Sequence, residues 1–225
     1  MWLLFDRNCR LCGDSIAHRH WAICEPCEWE LPWLSPNGCF RCAFPLTANQ
    51  DCPDCAQLDF AFEHVRAPWA YQFPIDSVIT QFKHQNKGEL GRWLAEGMAR
   101  HLQQTHARAD VIYSVPLAPN RERQRGFNQA ALLARWVGKA LSIPVSKHSL
   151  TRQAGRSSQH LTARERRKQN QGAFKWHGKT PDLSGQHIAL VDDVLTTGAT
   201  ANQVARLLKE AGAERVEVWV VGRVL

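Results

Sequence analysis

Two adjacent aspartates followed by a threonine- and glycine-rich turn carry the clearest chemistry in this chain. Residues 187–200 read HIALVDDVLTTGAT, so that four apolar residues lead into Asp192 and Asp193 and a small-residue turn follows. Where such a turn opens a helix, free backbone N–H groups, hydroxyl groups and the helix dipole favour a bound anion. Two carboxylates would repel a bare phosphate, so they suit ribose hydroxyls or a magnesium-loaded sugar phosphate.

The turn itself supplies the candidate phosphate contacts, which are Thr196, Thr197, Gly198, Ala199 and Thr200. Gly198 allows the backbone to approach an anion closely. The stretch lacks the lysine of the GxxxxGK[ST] nucleotide loop, and it is not a GxGxxG turn. The alternative interpretation is an ordinary strand-to-helix turn with two solvated acids.

All eight cysteines lie near the amino end and form four CxxC pairs, Cys9/Cys12, Cys24/Cys27, Cys39/Cys42 and Cys52/Cys55. A CxxC turn places two thiolates at the spacing that tetrahedral zinc requires, and two such turns complete one site. The pattern predicts one or two structural zinc ions, with the first pair joining the second and the third joining the fourth; crossed pairing is the alternative. Disulfides are less suitable in a chain without a secretory signal, and a thioredoxin-like site needs a single CxxC. His18 and His20 are spare ligands.

Residues 1–60 are predicted to form a small zinc domain, because this turn-rich segment needs metal in place of a large core. Its first half contains four tryptophans, Trp2, Trp21, Trp29 and Trp33. They are expected to cover the metal-binding turns. Stacking on the bases of single-stranded nucleic acid is the alternative.

The net charge of +7 is distributed unevenly along the chain. Residues 1–60 hold four arginines and eight acids, so residues 61–225 carry +11. Between Arg121 and Lys168 there are twelve lysines and arginines but only two acids. This half of the chain is expected to attract polyanions or phosphorylated substrates, and a solvated basic face is the alternative.

Three basic features are candidate partners for the phosphate turn. Arg121, Arg123 and Arg125 precede a glycine and a helical pattern, and arginines before a helix favour an anion. Lys83 is a candidate anion contact, with a surface lysine as the alternative. Residues 152–170 are polar and basic without an apolar period, which is typical of a functional or mobile loop.

The elements that must position these residues alternate between strands and helices. Continuous apolar runs predict buried strands, at 110–115, 143–150, 173–176, 187–191 and 215–222, with an extended entry at 65–73. Helical patterns are predicted over about 75–101 with a break near Gly88, after Gly126, and from the phosphate turn to Gly212. The alternation predicts an α/β fold, with a mostly parallel sheet flanked by helices.

Two further patterns bear on location. No run of eighteen apolar residues is present, so no membrane span is expected. The first residues lack the basic and apolar regions of a signal peptide. A cytoplasmic location is therefore predicted.

The sequence VDDVLTTGAT resembles the phosphoribosyl-pyrophosphate (PRPP) loop of type I phosphoribosyltransferases. The resemblance implies that Asp192 and Asp193 hold the ribose hydroxyls, that residues 196–200 wrap the 5′-phosphate, and that Mg²⁺ accompanies PRPP. It also implies a pyrophosphate loop with contacts from Ser114, Arg121, Arg125 and Asn128. A flexible loop that closes over PRPP would supply Arg164, Arg166 and Arg167.

Over nearly its whole length the chain resembles the ComF family of competence-associated phosphoribosyltransferase-like proteins, in its GntX-like branch. The resemblance rests on the four CxxC pairs, VPLAPNRERQRGFNQA, QHLTARERRKQNQGAF and VDDVLTTGAT. It implies a double zinc-ribbon domain, residues 1–60, before a phosphoribosyltransferase-like domain, residues 61–225. It also implies a role in natural transformation or use of external DNA at the inner face of the membrane. Single-stranded DNA and other DNA-uptake or recombination proteins are the partners that it implies.

Two hypotheses about activity remain open at this point. In the first, the protein is a phosphoribosyltransferase that binds PRPP and Mg²⁺ and transfers the ribose phosphate to an acceptor. In the second, it is a non-catalytic protein that binds single-stranded DNA and only senses PRPP or a nucleotide.

Overall fold

The computed structural model describes residues 7–16, 22–35, 38–46, 52, 55, 59–85, 88–153 and 172–225. The strands are β1 (Arg7–Asn8), β2 (Ser15–Ile16), β3 (His64–Arg66), β4 (Trp69–Ala70), β5 (Val111–Ser114), β6 (Leu150–Arg152), β7 (Phe174–Trp176), β8 (His187–Leu195) and β9 (Arg215–Arg223). The helices are α1 (Glu25–Trp29), α2 (Ile75–Gln85), α3 (Gly88–Gln104), α4 (Pro119–Arg125), α5 (Gln129–Leu141) and α6 (Ala199–Glu210).

A parallel sheet forms the centre of the protein, with the strand order β3-β9-β8-β5 and with β4 also pairing with β9. The two central strands β8 and β9 are the apolar runs of the sequence, and Ile188 to Val191 and Val216, Val218 and Val220 are fully buried. Continuous apolar strands of this kind need cover on both faces. The predicted α/β fold with a parallel sheet flanked by helices is therefore confirmed.

Helices cover one face of the sheet through periodic apolar residues. Helix α3 buries Leu90, Leu94, Met98 and Leu102, and α5 buries residues at the same helical spacing. These helices and α2 pack against Trp69, Ala189, Val191 and Trp219. Helix α6 packs on the other face, against even-numbered residues of β8 and β9 such as Leu190 and Val218.

The cysteine-rich residues pack on both faces of the sheet. Cys9, Ile23 and Leu31 join the core that contains α2, α3 and α5. Cys42 and Cys52 join the opposite core, which contains α6. The amino-terminal segment thus contributes to both cores, because its two halves lie on opposite sides of the same sheet.

Several predicted elements differ from the observed ones. Residues 65–73 form two short strands, β3 and β4, because the chain bends between them. The predicted strand at 143–150 is wrong, since Val145 makes only a single bridge to Ile112 and regular pairing begins at Leu150. The break predicted near Gly88 is confirmed, since residues 75–101 lie in two helices, α2 and α3, and the second begins at Gly88 and continues to Gln104. Residues Pro119–Arg125, which belong to the loop implied by the resemblance, form helix α4.

Within the described residues, none of the helices combines the length and apolar character that a membrane crossing requires.

Candidate functional site

The predicted phosphate turn lies at the carboxyl end of β8, directly before helix α6. Gly198 precedes the helix with φ 76° and ψ −2°, a left-handed conformation that favours glycine. Thr196 and Thr197 are exposed, and the Ala199 N–H donates to Thr197 Oγ1 at 3.4 Å. The turn therefore presents hydroxyls and the N-terminal N–H groups of a helix, which is the arrangement that binds an anion.

Gly198 is also constrained by what packs beneath it. A Cβ atom added to Gly198 would lie 2.9 Å from the ring of Phe60. Phe60 stacks on Phe62 with ring centroids 4.5 Å apart, and both rings are buried. Only glycine satisfies the backbone angle and the available space together, so this segment after the cysteines shapes the turn.

The two aspartates lie inside strand β8, rather than after it. Because successive residues of a strand point to opposite faces, the two side chains leave the sheet on different sides. Asp193 Oδ2 lies 3.0 Å from Lys83 Nζ, and both side chains are less than one fifth exposed. The Asp193 N–H donates to Asp192 Oδ1 at 2.8 Å. The structure thus places Lys83, a candidate anion contact, directly against the acid pair.

The positive charges near Asp192 and Asp193 only partly offset the effects of burial and of charge repulsion between the two aspartates. Burial of Asp192, followed by the charge of Asp193, raises the pKa of Asp192 to about 8, and the charges of Lys83 and Arg152 oppose this rise only in part. A neighbouring negative charge and burial both disfavour the ionised form of a carboxyl. Near neutral pH Asp192 therefore keeps its proton. This proton and the remaining acceptor oxygens of the two aspartates are available to ribose hydroxyls.

The residues predicted for the pyrophosphate loop do not all lie at the same place in the structure. Ser114 ends β5, level with Val191 and so next to the acid pair in the sheet. Asn128 caps helix α5, since its Oδ1 accepts from Ala131 N–H at 3.4 Å and its Nδ2 donates to the Val115 carbonyl at 3.1 Å. Arg121 is exposed on α4. Ser114 and Asn128 are therefore brought to one side of β5, whereas Arg121 faces solvent.

A cavity of about 400 Å³ opens beside the carboxyl end of β5. It is lined by Ser114 and Asn128 together with Arg152, which ends β6. Arg125 lies at the end of α4 and donates to Gln129 Oε1 at 3.1 Å, so it is held by the next helix. The cavity has hydroxyl, amide and guanidinium donors, which suit a polyanion such as pyrophosphate.

The flexible-loop residues Arg164, Arg166 and Arg167 lie outside the described part of the chain. The strands that flank this stretch, β6 and β7, pair antiparallel, and Arg152 is level with Phe174. The Gln153 N–H donates to the Ala173 carbonyl at 2.8 Å. Both ends of the stretch therefore start from one short hairpin stem next to the cavity.

The cysteines form two clusters of four among the described residues. Cys9, Cys12, Cys24 and Cys27 form the first, and Cys39, Cys42, Cys52 and Cys55 form the second, with all sulfur atoms of a cluster within 4.8 Å of one another. Tetrahedral zinc with Zn–S bonds of about 2.3 Å requires S–S separations of about 3.8 Å. The measured Sγ–Sγ distances include 3.6, 3.7 and 3.4 Å. The sequential pairing predicted from the spacing is confirmed, and the residues fit two zinc ions.

Backbone donors prepare particular sulfur atoms for a metal. The N–H groups of Leu11 and Cys24 donate to Cys9 Sγ at 3.4 and 3.3 Å. Burial alone would raise the pKa of Cys9, but these N–H groups and that of Cys12 lower the pKa to about 6. A thiolate is the form that binds zinc, so the N–H groups around Cys9 Sγ favour the metal-binding form of this one cysteine.

The first ribbon is the segment around the cluster Cys9, Cys12, Cys24 and Cys27, and the second ribbon is the segment around the cluster Cys39, Cys42, Cys52 and Cys55. Two of the four tryptophans that were expected to cover the metal-binding turns lie in the described part of the first ribbon. Trp33 packs against Trp69, with ring centroids 5.2 Å apart. Trp29 is 76% exposed, and it lines an open cleft of about 270 Å³ with Trp33 and Arg100. Trp2 and Trp21, like His18 and His20, lie outside the described residues.

Three side chains around the site were not identified from the sequence as individual contacts. Arg152 lies in the cavity, Asn202 lies in the first turn of α6, and Arg223 ends β9 beneath the phosphate turn. The arginine that follows the apolar run from Val218 to Val221 is a sequence signal that could have identified Arg223. The other two lack a distinctive local pattern, because their roles depend on distant partners.

Two family models match this chain. Residues 124–223 match the model described as a phosphoribosyl transferase domain, and residues 1–56 match the model described as a double zinc ribbon domain. A crystal structure of purine phosphoribosyltransferase from Pyrococcus horikoshii Ot3 aligns with 60% of this chain and 82% of that chain, at 19% identity and a TM-score of 0.36.

Similar chains occur in several bacteria. The DNA utilization protein YhgH of Escherichia coli O157:H7 is 33% identical over 226 residues, which cover 96% of this chain and 97% of the relative. Competence protein F of Haemophilus influenzae is 29% identical over 230 residues, with coverage of 99% and 100%. Competence protein ComFC of Bacillus subtilis is 26% identical over 197 residues, with coverage of 84% and 79%.

Proposed function

This chain belongs to the ComF-like family of DNA utilization and competence proteins, which joins a double zinc ribbon to a type I phosphoribosyltransferase domain, and from that premise we propose that it binds PRPP with Mg²⁺ during the use of external DNA. The observation that carries the proposal is the acid pair beside an open helix N-terminus. Asp193 forms an ion pair with Lys83, and two residues separate Asp193 from the start of the phosphate turn at Thr196.

Each part of the site has a role in this proposal. The turn from Thr196 to Thr200 donates N–H and hydroxyl groups to the 5′-phosphate. Asp192 and Asp193 accept from the ribose hydroxyls, and the ion pair with Lys83 orients Asp193. Mg²⁺ bound with PRPP would neutralise the pyrophosphate oxygens. The cavity with Ser114, Asn128 and Arg152 receives the pyrophosphate.

Transferase activity is the catalytic form of the same proposal. The bond from the ribose C1 to pyrophosphate breaks, pyrophosphate leaves with the bonding electrons, and an acceptor nucleophile forms the new bond at C1. Arg152 and the charges of the 152–170 stretch stabilise the departing anion. Pyrophosphate release on addition of an acceptor separates an enzyme from a protein that only senses PRPP.

Calorimetric titration with PRPP tests the binding proposal. Wild-type protein should bind PRPP saturably and only with Mg²⁺, and the Asp192→Ala/Asp193→Ala double variant should lose binding at least tenfold, or about 1.4 kcal/mol. The matched control is Glu210→Ala/Glu214→Ala, which likewise removes two carboxyl groups, from exposed positions near the end of α6. Equal binding by the acid-pair variant and the control would exclude the proposed site.

A second function, binding of single-stranded DNA, is favoured by a separate observation. Trp29 is 76% exposed on the first ribbon, in a cleft with Trp33 and Arg100. Aromatic stacking contributes about 1–3 kcal/mol per base in sequence-tolerant binding of single strands. The names of the relatives, DNA utilization and competence proteins, point to the same ligand.

Fluorescence titration with oligo-dT tests this second function. Trp29→Ala should weaken binding about tenfold, and Phe73→Ala, which alters an aromatic residue that is 77% exposed elsewhere, should not. Affinity should fall steeply with salt, and replacing Arg164, Arg166 and Arg167 by glutamine should make that dependence shallower. Binding that ignores both salt and Trp29 would exclude the DNA function.

A further inference from the structure

A buried arginine connects the phosphate turn to the second cysteine cluster. Arg223, the last residue of β9, is 4% exposed. Its Nη1 donates to the Thr196 carbonyl at 2.6 Å, and its Nε donates to the Cys42 carbonyl at 3.0 Å. The guanidinium also lies over the ring of Phe44, 5.9 Å from the centroid. One side chain therefore touches both a metal-binding turn and the start of the phosphate turn.

The planarity of the peptide bond gives this contact a consequence for anion binding. A peptide C=O and the N–H of the next residue point in opposite directions. Because the Thr196 carbonyl points to the buried guanidinium, the Thr197 N–H points away from it. Arg223 thereby selects the orientation in which this N–H is available to an anion.

A second set of contacts holds the other end of the turn. Asn202, in the first turn of α6, accepts from the Ala61 N–H at 2.6 Å and donates to the Asp59 carbonyl at 3.2 Å. Phe60, which lies between these two residues, packs under Gly198. Arg41, within the CxxC turn Cys39–Cys42, donates to the Phe60 carbonyl at 2.9 Å. The second ribbon and residues 59–62 thus support the turn and the helix N-terminus together.

We propose that Arg223 is a positioning residue for the phosphate turn and that the second zinc ribbon holds it in place, so that anion affinity depends on the metal of that ribbon. The inference rests on the proposed ribose phosphate function and deepens it. The first ribbon packs on the opposite face of the sheet, where Arg10 pairs with Glu89 and Glu28 pairs with Arg100. The two metal clusters should therefore have different effects on ligand binding.

Variants at Arg223 test the proposal on the zinc-loaded full chain. Calorimetric titration with ribose 5-phosphate should show at least a tenfold loss for Arg223→Met. Arg223→Lys should recover part of the affinity, because one ammonium can reach one of the two carbonyls. The control is Arg66→Met, which removes a largely buried arginine at the other end of the sheet and should leave affinity unchanged. Wild-type affinity in Arg223→Met would overturn the proposal.

Amide hydrogen exchange tests the same point without a ligand. Exchange in the peptide that covers residues 195–201 should accelerate at least tenfold in Arg223→Met but not in Arg66→Met. If wild-type protein binds neither PRPP with Mg²⁺ nor ribose 5-phosphate, the proposed function is wrong, and exchange still decides the role of Arg223. Unchanged exchange in Arg223→Met would overturn that role.

Cysteine variants test the link to the metal. Cys55→Ser and Cys12→Ser should each lose one equivalent of zinc, measured by metal analysis, because each removes one ligand of one cluster. Only Cys55→Ser should weaken ribose 5-phosphate binding, by about tenfold. Equal affinity in the two variants would show that the second ribbon does not govern the turn.

Discussion

The two ends of the central sheet surround a carboxyl group with different partners. At the amino end, Glu217 on β9 is 1% exposed, and it accepts from Arg66 Nε at 2.8 Å, Arg215 Nη2 at 2.9 Å and Trp219 Nε1 at 3.1 Å. At the carboxyl end, Asp192 lies beside a second acid, and only Asp193 has an ion pair, with Lys83, among the described residues. The first carboxylate is surrounded by donors, and the second is not.

The pKa shifts follow from this difference in partners. Burial alone would raise the pKa of Glu217, but hydrogen bonds from Arg66 and Trp219 and the charge of Arg66 lower it below the ordinary value. Burial and the charge of Asp193 raise the pKa of Asp192 to about 8. A carboxylate whose oxygens all accept from protein donors stabilises the fold. A carboxyl group that lacks such donors can accept hydrogen bonds from a ligand instead.

Removing Glu217 should give the largest effect. In Glu217→Ala, Arg66 and Arg215 lose their shared acceptor, and breaking a buried ion pair on one side costs about 3–5 kcal/mol of unfolding free energy. Urea unfolding of the zinc-loaded protein measures this change, with the exposed Glu210→Ala as the control. A loss below about 1 kcal/mol would mean that the network is not structural.

Replacing the carboxyl group of Asp192 should have the opposite sign. Asp192→Asn should raise the unfolding free energy by on the order of 1 kcal/mol at pH 7.5, because folding of the variant no longer requires a carboxyl group to take up a proton that the unfolded chain releases. PRPP binding should weaken in the same variant. A destabilised Asp192→Asn protein would show that the acid pair supports the fold as Glu217 does.

The pH dependence of stability should separate the two ends further. Folded protein keeps the Asp192 proton up to about pH 8, whereas the unfolded chain releases it near the ordinary pKa of about 4. Wild-type stability should therefore fall relative to Asp192→Asn as the pH rises from about 5 to 8. Urea unfolding at several pH values measures this slope, and parallel curves for the two proteins would contradict it. Glu217 has a lowered pKa, so its contribution is lost only as the pH falls towards strongly acid values.

A substitution of Lys83 should have a moderate effect. Lys83→Met removes the partner of Asp193, so the pKa of Asp192 should rise further and PRPP affinity should fall about threefold, or about 0.7 kcal/mol. Calorimetry measures the affinity, and Lys139→Met, at an exposed position on α5, is the control. An unchanged affinity would leave Lys83 as a partner of the acid without a role in binding.

The smallest effect is expected at Arg215, within the Glu217 network. The Arg215 side chain is 43% exposed, whereas that of Arg66 is 13% exposed. Solvent screens the exposed pair, so Arg215→Met should cost only about 0.5 kcal/mol of unfolding free energy. A cost as large as that of Glu217→Ala would show that screening is unimportant at this end of the sheet.

Much of the fold and part of the site could be predicted from local patterns. The strand–turn–helix unit from His187 to Glu210 has its apolar run, its turn residues and its helical period in one continuous segment of the chain. The cysteine pairs predicted both the ligands and their sequential pairing. Local patterns failed at Pro119–Arg125, because its polar residues form a helix without a buried side. They also failed at 143–150, where a single bridge replaces a strand.

Neighbouring residues encode the phosphate turn, the two cysteine clusters and the apolar strands. The distant residues that complete these features come together only in the folded chain. Lys83 meets Asp193 across more than a hundred residues, Glu217 finds Arg66, and Arg223 bridges Cys42 to Thr196. The physical reason is that these contacts depend on strand order, register and the placement of one ribbon on each face of the sheet, which arise only when the whole chain packs around its two cores.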